Sequence, residues 1–326
     1  MKQLASLLLL LSSSFAFSQA PTPESLGFMH KILIYRKDSV DVLIYSKKGE
    51  ESKPKPLFFF CQGSMPQPLI KYSDEGAYGV FPFSPDELAE NYHVVIAGKP
   101  GVPLAAHEDE LASNFVYVDS TTYYQQHNYL DYYVKRNLSL IRQLRKEKWA
   151  SDKELVVAGH SEGSTIALNM AASSKKVTAL VYSGGNPAGR IVSMLYEVQS
   201  REISGDPEQE ELTAYWKEIV ENKSLDTASQ SDPFKTTYSF SQPLSDKFYS
   251  LKIPVYVTYG TKDWCAPYIL ELQINAISKS RNTIFFHAYP GCEHNYFPLL
   301  ADGTTDYSQF RWDEVAADWN LWLSKK

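Results

Sequence analysis

A serine, an aspartate and a histidine stand in three separate short motifs whose residue types suit one reaction. Ser161 lies between Gly159 and Gly163 in the motif Gly-His-Ser-Glu-Gly. Asp263 lies in Tyr-Gly-Thr-Lys-Asp-Trp, and His294 lies in Pro-Gly-Cys-Glu-His-Asn. A serine hydroxyl becomes a nucleophile when a histidine takes its proton and an acid orients that histidine. The three motifs therefore predict nucleophilic attack on a carbonyl carbon.

The serine motif has the sequence context that its chemistry requires. An apolar strand pattern (155–158) precedes it, and a helix of small residues (164–170) follows it. A G-x-S-x-G motif between a strand and a helix is typical of a nucleophile elbow. The sharp turn holds Ser161 in a strained backbone conformation, and small residues on both sides leave room for it. The helix N-terminus behind Ser161 favours negative charge in the transition state.

Asp263 is predicted to orient the histidine because it follows the apolar strand 253–259. The alternative is an aspartate that caps the helix starting near Pro267. The competing position for the acid, after the strand 177–182, contains residues 183–186, none of which is acidic. That absence favours Asp263.

His294 is predicted to be the general base because it follows the last strand in a glycine-containing loop. The alternative is a surface histidine without a catalytic role. His287 alternates with its neighbours inside a strand and is interpreted as structural. His160 adjoins the nucleophile but is expected to point elsewhere in such a turn.

The elements that must position these motifs alternate between strand and helix. A hairpin is predicted at 29–36 and 40–47, followed by strands that end just before the motifs. This alternation predicts an α/β fold with a doubly wound, mostly parallel sheet and an antiparallel start. The predicted strands are 56–61, 93–97, 154–158, 177–182, 253–259 and 283–289; the predicted helices are 123–148, 161–173, 267–278 and 308–324, with a further helix beginning at Ser84 as its cap.

Residues 186–250 interrupt the alternation. Helical patterns at 191–201 and 207–221 are followed by polar, serine-rich sequence without a strand pattern. An insertion at the carboxyl edge of a parallel sheet would cover the site, so we expect a cap or lid. The alternative is a peripheral insertion without contact to the site. The rest of 21–326 is predicted to be one catalytic domain.

The order Ser161, Asp263, His294, each after a strand, resembles the α/β-hydrolase superfamily over nearly the whole chain after residue 20. The insertion would fall at that family's usual cap position, between the sixth and seventh strands. The resemblance implies a serine hydrolase that works through an acyl-enzyme. It also implies an oxyanion hole at Gln62-Gly63-Ser64, where Gln replaces the family's usual His. Its donors would be the backbone N–H groups of Ser64, or a residue beside it, and Glu162.

The first twenty residues are typical of a secretory signal peptide. A positive start, an apolar run rich in leucine and the small residues Ser-Gln-Ala precede Pro21. We therefore expect a secreted or periplasmic protein; the alternative is an uncleaved anchor. No cysteine lies near the expected cleavage point, which argues against a lipoprotein. No later segment is apolar enough to cross a bilayer.

Composition narrows the range of partners. The chain has 326 residues, a net charge of −6 and no run of Lys or Arg, so no nucleic-acid partner is expected. No HExxH motif or carboxylate cluster at ligand spacing is present, so we expect no metal and no cofactor. The three cysteines exclude a disulfide framework. Cys265 and Cys292, each two residues from a predicted catalytic residue, form either a disulfide or two ordinary loop thiols.

The leading functional hypothesis is a carboxylic ester hydrolase, or a closely related acyl hydrolase, acting on a small molecule or a peptide. The second is a stand-alone serine peptidase of the prolyl-oligopeptidase type; such peptidases usually carry a propeller, for which we see no room. The third is a catalytically silent binding protein on a hydrolase fold. The sequence specifies neither the acyl and alcohol groups nor the oligomeric state.

Overall fold

The computed structural model describes residues 20–117, 122–200, 207–226 and 232–326. Its central sheet has eight strands in the order β1-β2-β4-β3-β5-β6-β7-β8. β1 and β4 are both antiparallel to β2, and every other pair is parallel. The predicted α/β fold with an antiparallel start is confirmed. The strands are β1 Phe28–Tyr35, β2 Asp38–Tyr45, β3 Lys55–Cys61, β4 His93–Ala97, β5 Ala150–His160, β6 Ala179–Ser183, β7 Val255–Gly260 and β8 Ile284–Tyr289.

Helices cover both faces of the sheet. Consecutive residues of β3 point to opposite faces, so Phe59 joins one apolar cluster while Phe58 and Phe60 join the other. The larger cluster lies under α3, α4, α8 and α9, and the smaller lies under α1 and α10. The helices are α1 Asp86–Ala89, α2 Thr122–His127, α3 Leu130–Leu144, α4 Glu162–Ser173, α5 Arg190–Ser200, α6 Pro207–Glu221, α7 Phe234–Phe240, α8 Ser245–Ser250, α9 Ala266–Ser278 and α10 Trp312–Leu323.

The strand order places the site. β3 pairs with β4 on one side and with β5 on the other, so the connections after β3 and β5 leave at the same carboxyl edge. Ligand sites of open α/β sheets lie outside the carboxyl ends of strands at such a switch in order. The motifs of Ser161, Asp263 and His294 follow β5, β7 and β8 at this edge.

The prediction of one long helix at 123–148 is wrong. The helix divides into α2 and α3, with Tyr129 in an extended conformation between them. Asn128 explains the break because its polar groups are used by other residues. Its carbonyl accepts a hydrogen bond from Thr236 of α7, and its side chain accepts one from Tyr133 at 3.0 Å. A tertiary contact has replaced the helical hydrogen bonds at this point.

The helix predicted to begin at Ser84 is short and begins one residue later. α1 has only four residues, and its N-cap is Pro85. The Ser84 hydroxyl accepts a hydrogen bond from the backbone N–H of Asp86 at 3.4 Å, as expected of a cap, and donates to the Asp86 side chain at 2.9 Å.

Residues 186–250 lie between β6 and β7, and the described parts of this segment (186–200, 207–226 and 232–250) contain the helices α5 to α8. The polar part, for which the sequence shows no strand pattern, contains the helices α7 and α8. Their apolar side chains hold these helices on the fold, since Phe240 and Phe248 are buried in the larger cluster. That this segment covers the site as a cap remains a prediction.

No helix among the described residues has the length and apolar character needed to span a membrane. The predicted signal peptide, apart from Ala20, lies outside the described residues.

Candidate active site

Ser161 lies at the turn between β5 and α4 in a left-handed backbone conformation, with φ 57° and ψ −128°. Its N–H donates to the carbonyl of Ser183 at 2.9 Å, and its carbonyl accepts from the Ser164 hydroxyl at 2.6 Å. A positive φ is costly for a residue with a side chain and persists only where its surroundings enforce it. These bonds to β6 and α4 hold the serine in that conformation.

The two flanking glycines are required by close backbone approaches. A methyl group placed on Gly159 would lie 2.1 Å from the carbonyl oxygen of Gly163. One placed on Gly163 would lie 2.1 Å from the carbonyl oxygen of Cys61. Neither position accepts a side chain, so the spacing in the motif follows from packing of the turn against the end of β3.

Asp263 and His294 are brought together although 31 positions separate them. The Nδ1 atom of His294 lies 2.7 Å from Oδ2 of Asp263. The other carboxylate oxygen of Asp263 accepts from the backbone N–H of Cys265 at 3.0 Å. Asp263 is 5% exposed, so its only solvation comes from these partners. The alternative of a helix-capping aspartate is compatible with the bond to Cys265, at the start of α9, but does not account for the bond to His294.

The charged forms of His294 and Asp263 stabilise each other. Burial disfavours the charged form of His294, but the adjacent carboxylate outweighs burial, so the pKa of His294 is raised above its ordinary 6.5. Burial would likewise raise the pKa of Asp263, but His294 and the backbone N–H of Cys265 lower it below its ordinary value. An imidazolium would therefore be stabilised at His294, as a general base requires when it takes a proton.

The loop after β3 packs directly against the serine. A methyl group on Gly63 would lie 3.8 Å from Cβ of Ser161. Gln62 turns away from Ser161, because its side-chain amide donates to the carbonyl of Ala97 at 2.7 Å. Among the described residues, the backbone N–H groups of Ser64 and Glu162 donate no hydrogen bond. Both residues line a cavity together with Ser161.

Lys99 and Tyr124 anchor this loop, and the sequence pattern did not indicate either. The Lys99 ammonium donates to the carbonyl of Ser64 at 2.8 Å, and the Tyr124 hydroxyl donates to the same carbonyl at 2.9 Å. Lys99 is 6% exposed and also lies 5.6 Å from the ring centre of Tyr133. Burial lowers the pKa of Lys99 to about 8, although the charge of Glu162 partly opposes this shift. The lysine thus sits between the two segments that carry the free N–H groups.

Four charged side chains form a largely buried cluster beside the serine: Lys99, Glu162, Arg190 and Asp232. The Nη1 atom of Arg190 lies 2.7 Å from Oδ2 of Asp232 and 3.5 Å from Oε2 of Glu162. Burial raises the pKa of Glu162, while Lys99 and Arg190 oppose the shift. Each charge in this cluster has a neighbour of opposite sign. The cluster joins the start of α5 to the start of α4.

His160 does not point away from the site as predicted. Its ring centre lies 4.8 Å from that of His294, and its Nδ1 atom lies 3.0 Å from the Ser183 hydroxyl. Burial, together with the neighbouring His294, lowers the pKa of His160 well below its ordinary value. His160 is therefore a neutral ring beside the predicted base, which avoids two adjacent imidazolium charges.

Of the two alternatives for Cys265 and Cys292, the structure has the ordinary thiols and not the disulfide, since all three cysteines are buried and free. Cys265 belongs to the apolar cluster on one face of the sheet, and Cys292 belongs to the cluster on the other face. The two loops meet through Asp263 and His294, but the side chains of Cys265 and Cys292 point to opposite faces of the sheet. Cys292 instead accepts a hydrogen bond from Arg311 at 3.4 Å.

Two cavities meet at Ser161 and His294, which line both. The first, which we call the α5 cavity, has a volume of about 280 Å³ and is lined by Glu162 and by Arg190, Ser193 and Met194 of α5. The second, the aromatic cavity, has a volume of about 420 Å³. Its walls include Phe60, Met65, Phe81 and Trp312. In the described part of the chain, no group of three or more His, Cys, Asp or Glu residues is arranged to hold a metal ion.

No family model and no curated protein matches the chain in sequence. Many solved structures match it in fold. Est1E from Butyrivibrio proteoclasticus is similar with a TM-score of 0.52 and 14% identity, over 92% of this chain and 98% of that protein. Dipeptidyl peptidase 4 from Porphyromonas gingivalis has a TM-score of 0.54 and 12% identity, over 92% of this chain and 35% of that one. Acylaminoacyl peptidase from Pyrococcus horikoshii has a TM-score of 0.51 and 12% identity, over 82% of this chain and 37% of that one.

The chain thus spans little more than a third of the length of the two peptidases. At these identities the likeness concerns the fold. The strand order, the turn at Ser161 and these neighbours together establish that the chain has the α/β-hydrolase fold.

Proposed function

We propose that the protein is a serine hydrolase that cleaves a carboxylic ester, or a related acyl bond, through an acyl-enzyme on Ser161. The observation that carries this proposal is the 2.7 Å bond between His294 and Asp263, at a cavity that Ser161 also lines. A bare serine motif occurs by chance, but an aspartate–histidine pair beside a strained serine has a specific chemical use.

In this mechanism His294 takes the proton of Ser161 as the hydroxyl attacks the carbonyl carbon. Asp263 orients the imidazole and stabilises its charge. The developing oxyanion accepts hydrogen bonds from the free backbone N–H groups of Ser64 and Glu162. His294 then donates its proton to the leaving group, and water repeats the sequence to release the acid. The 186–250 segment, which contributes Arg190, Ser193 and Met194 to the α5 cavity, acts as a cap over this centre.

Labelling with a fluorophosphonate probe tests the proposal. The wild-type protein should be labelled, Ser161→Ala should not be, and Ser278→Ala, which removes an exposed hydroxyl on α9, should be labelled like the wild type. Thermal unfolding of Ser161→Ala shows whether the variant is folded. Absence of label on the wild type would instead favour a catalytically silent binding protein.

A peptidase is the second candidate, supported by the similarity of the fold to the two peptidases. The aromatic cavity has apolar walls at Phe60, Phe81 and Trp312, which suit an apolar acyl or alcohol group. A panel of p-nitrophenyl esters beside aminoacyl-naphthylamides separates the two. Higher kcat/KM on every amide than on any ester would replace the esterase proposal with the peptidase.

We further propose that residues 1–20 are a signal peptide and that the mature protein is secreted or periplasmic. Mass analysis of the protein exported by its native cell should find an N-terminus at Pro21. An intact N-terminus would contradict export with cleavage.

A further inference from the structure

Lys71 is the one residue in the wall of the aromatic cavity whose charge has no use in the mechanism. It lies on the short strand Ile70–Ser73, half-buried, with its ammonium 5.9 Å from the ring centre of Phe115. In the described part of the chain it forms neither a salt bridge nor a side-chain hydrogen bond. The other lysine near the site, Lys99, has a carbonyl partner and a carboxylate neighbour.

The cavity around Lys71 offers the ammonium no opposite charge. Among the described residues that line it, none is an aspartate or a glutamate. The remaining titratable groups are the imidazoles of His160 and His294, which carry no negative charge. A partly desolvated ammonium without a neighbouring acid is unfavourable unless an acceptor pairs with it, and burial lowers the pKa of Lys71 accordingly.

We propose that the aromatic cavity binds an apolar part of the ester substrate that ends in a carboxylate, and that Lys71 binds this carboxylate. The inference rests on the proposed serine hydrolase function and adds the substrate class. The cavity is continuous from Ser161 to Lys71, so one substrate can reach both residues. Charge-assisted hydrogen bonds are the strong ones, and low local polarity strengthens them further.

Two matched pairs of esters test this substrate class. On the acyl side, the 4-nitrophenyl monoester of glutarate is compared with its methyl ester. On the alcohol side, 4-acetoxybenzoate is compared with 4-acetoxybenzamide. Within each pair the reacting ester is the same and the carboxylate is replaced by a neutral group of similar size. The measured quantity is the ratio of kcat/KM for the charged member to that for the neutral one.

In at least one pair, Lys71→Met should lower this ratio about tenfold or more, as expected for loss of a hydrogen bond to a charged group. Any change that Lys71→Met causes in the kcat/KM of both members cancels in this ratio, so the ratio reports the carboxylate alone. Lys71→Arg should keep most of the preference. Lys176→Met, which removes an exposed charge after α4, should leave the ratio unchanged and controls for net charge.

Equal ratios for wild type and Lys71→Met in both pairs would overturn the proposal, as would turnover of the neutral esters alone. Failure of the hydrolase proposal itself looks different. In that case the fluorophosphonate would not label Ser161 and no ester would be cleaved, and both proposals would fall together.

Discussion

The two cavities that meet at Ser161 differ in how they treat charge. The α5 cavity contains Glu162 and Arg190, and each has an oppositely charged neighbour within the protein. The aromatic cavity contains one cation, Lys71, and no acid among the described residues. A charge that already has an oppositely charged neighbour has less to gain from a charged ligand than an unmatched charge has. On one side of Ser161, Glu162 and Arg190 are paired within the protein. On the other side lies Lys71, the cation that we propose binds the substrate.

The largest effect should come from the centre that both cavities share. Asp263→Asn should lower kcat about 10⁴-fold, because the amide would favour the wrong tautomer of His294. The loss should be equal for substrates that differ only in the group placed in the aromatic cavity. Steady-state kinetics with the paired esters measures it. A loss confined to one member of a pair would show that the two cavities do not share one base.

The second effect concerns the loop after β3. Lys99→Met removes one donor to the carbonyl of Ser64, and kcat should fall by about 10²–10³, as when an oxyanion donor is lost. KM should change little. Tyr124→Phe keeps the charge and most of the volume, so it should cause a smaller loss of kcat. A rise in KM at constant kcat in either variant would indicate substrate binding instead of positioning of the loop.

The charge cluster of the α5 cavity predicts a loss of stability. Arg190→Met would remove the cation nearest to Asp232 and leave Lys99 as the remaining cation of the cluster. The free energy of unfolding should fall by about 3 kcal/mol, the lower end for a buried pair that loses a partner. The double variant Arg190→Met with Asp232→Asn should recover part of that loss. Urea denaturation of the three proteins measures both changes. If Arg190→Met and the wild type unfold with equal free energy, the paired charges of the α5 cavity do not stabilise the fold, and their contrast with Lys71 is lost.

A smaller effect is expected from pH. The raised pKa of His294 means that the base is protonated, and inactive, up to a pH above its ordinary 6.5. Below that pKa, kcat/KM should fall about tenfold per pH unit. The acidic limb should be the same for neutral esters with different apolar groups, and it should move to lower pH in Asp263→Asn. A limb at or below 6.5 in the wild type would contradict the coupling to Asp263.

The smallest effect is expected where the charge is unmatched. Lys71→Met leaves no uncompensated partner, so the free energy of unfolding should change by less than about 0.5 kcal/mol. Urea denaturation beside Arg190→Met gives the direct comparison. A loss as large as that of Arg190→Met would mean that Lys71 has a structural role within the fold.

The sequence predicts those parts of the site whose causes are local. The turn at Ser161 is set by a strand, two glycines and a helix within fifteen positions, and all of these signals are visible in the chain. Asp263 and His294 could be predicted because parallel strands bring their carboxyl ends to one edge. The oxyanion loop followed from its place after β3.

The remaining features arise from contacts that no local pattern records. Lys99 follows a predicted strand in an ordinary turn, and only the approach of Ser64 gives it a partner. The break at Asn128 depends on Thr236, more than a hundred positions away. Amphipathic periodicity continued through the break, so the pattern indicated a single helix. The prediction that His160 points elsewhere failed, because the turn alone does not show how closely the loop after β8 packs against this histidine.

The burial of the three thiols has a consequence for redox chemistry. Thiol–disulfide exchange requires an accessible thiolate. Burial raises the pKa of Cys61 to about 12 and that of Cys265 well above its ordinary value, and Cys292 has no exposed surface. The three cysteine thiols are therefore unreactive. The protein's catalytic loops should keep the same geometry in oxidising and in reducing surroundings.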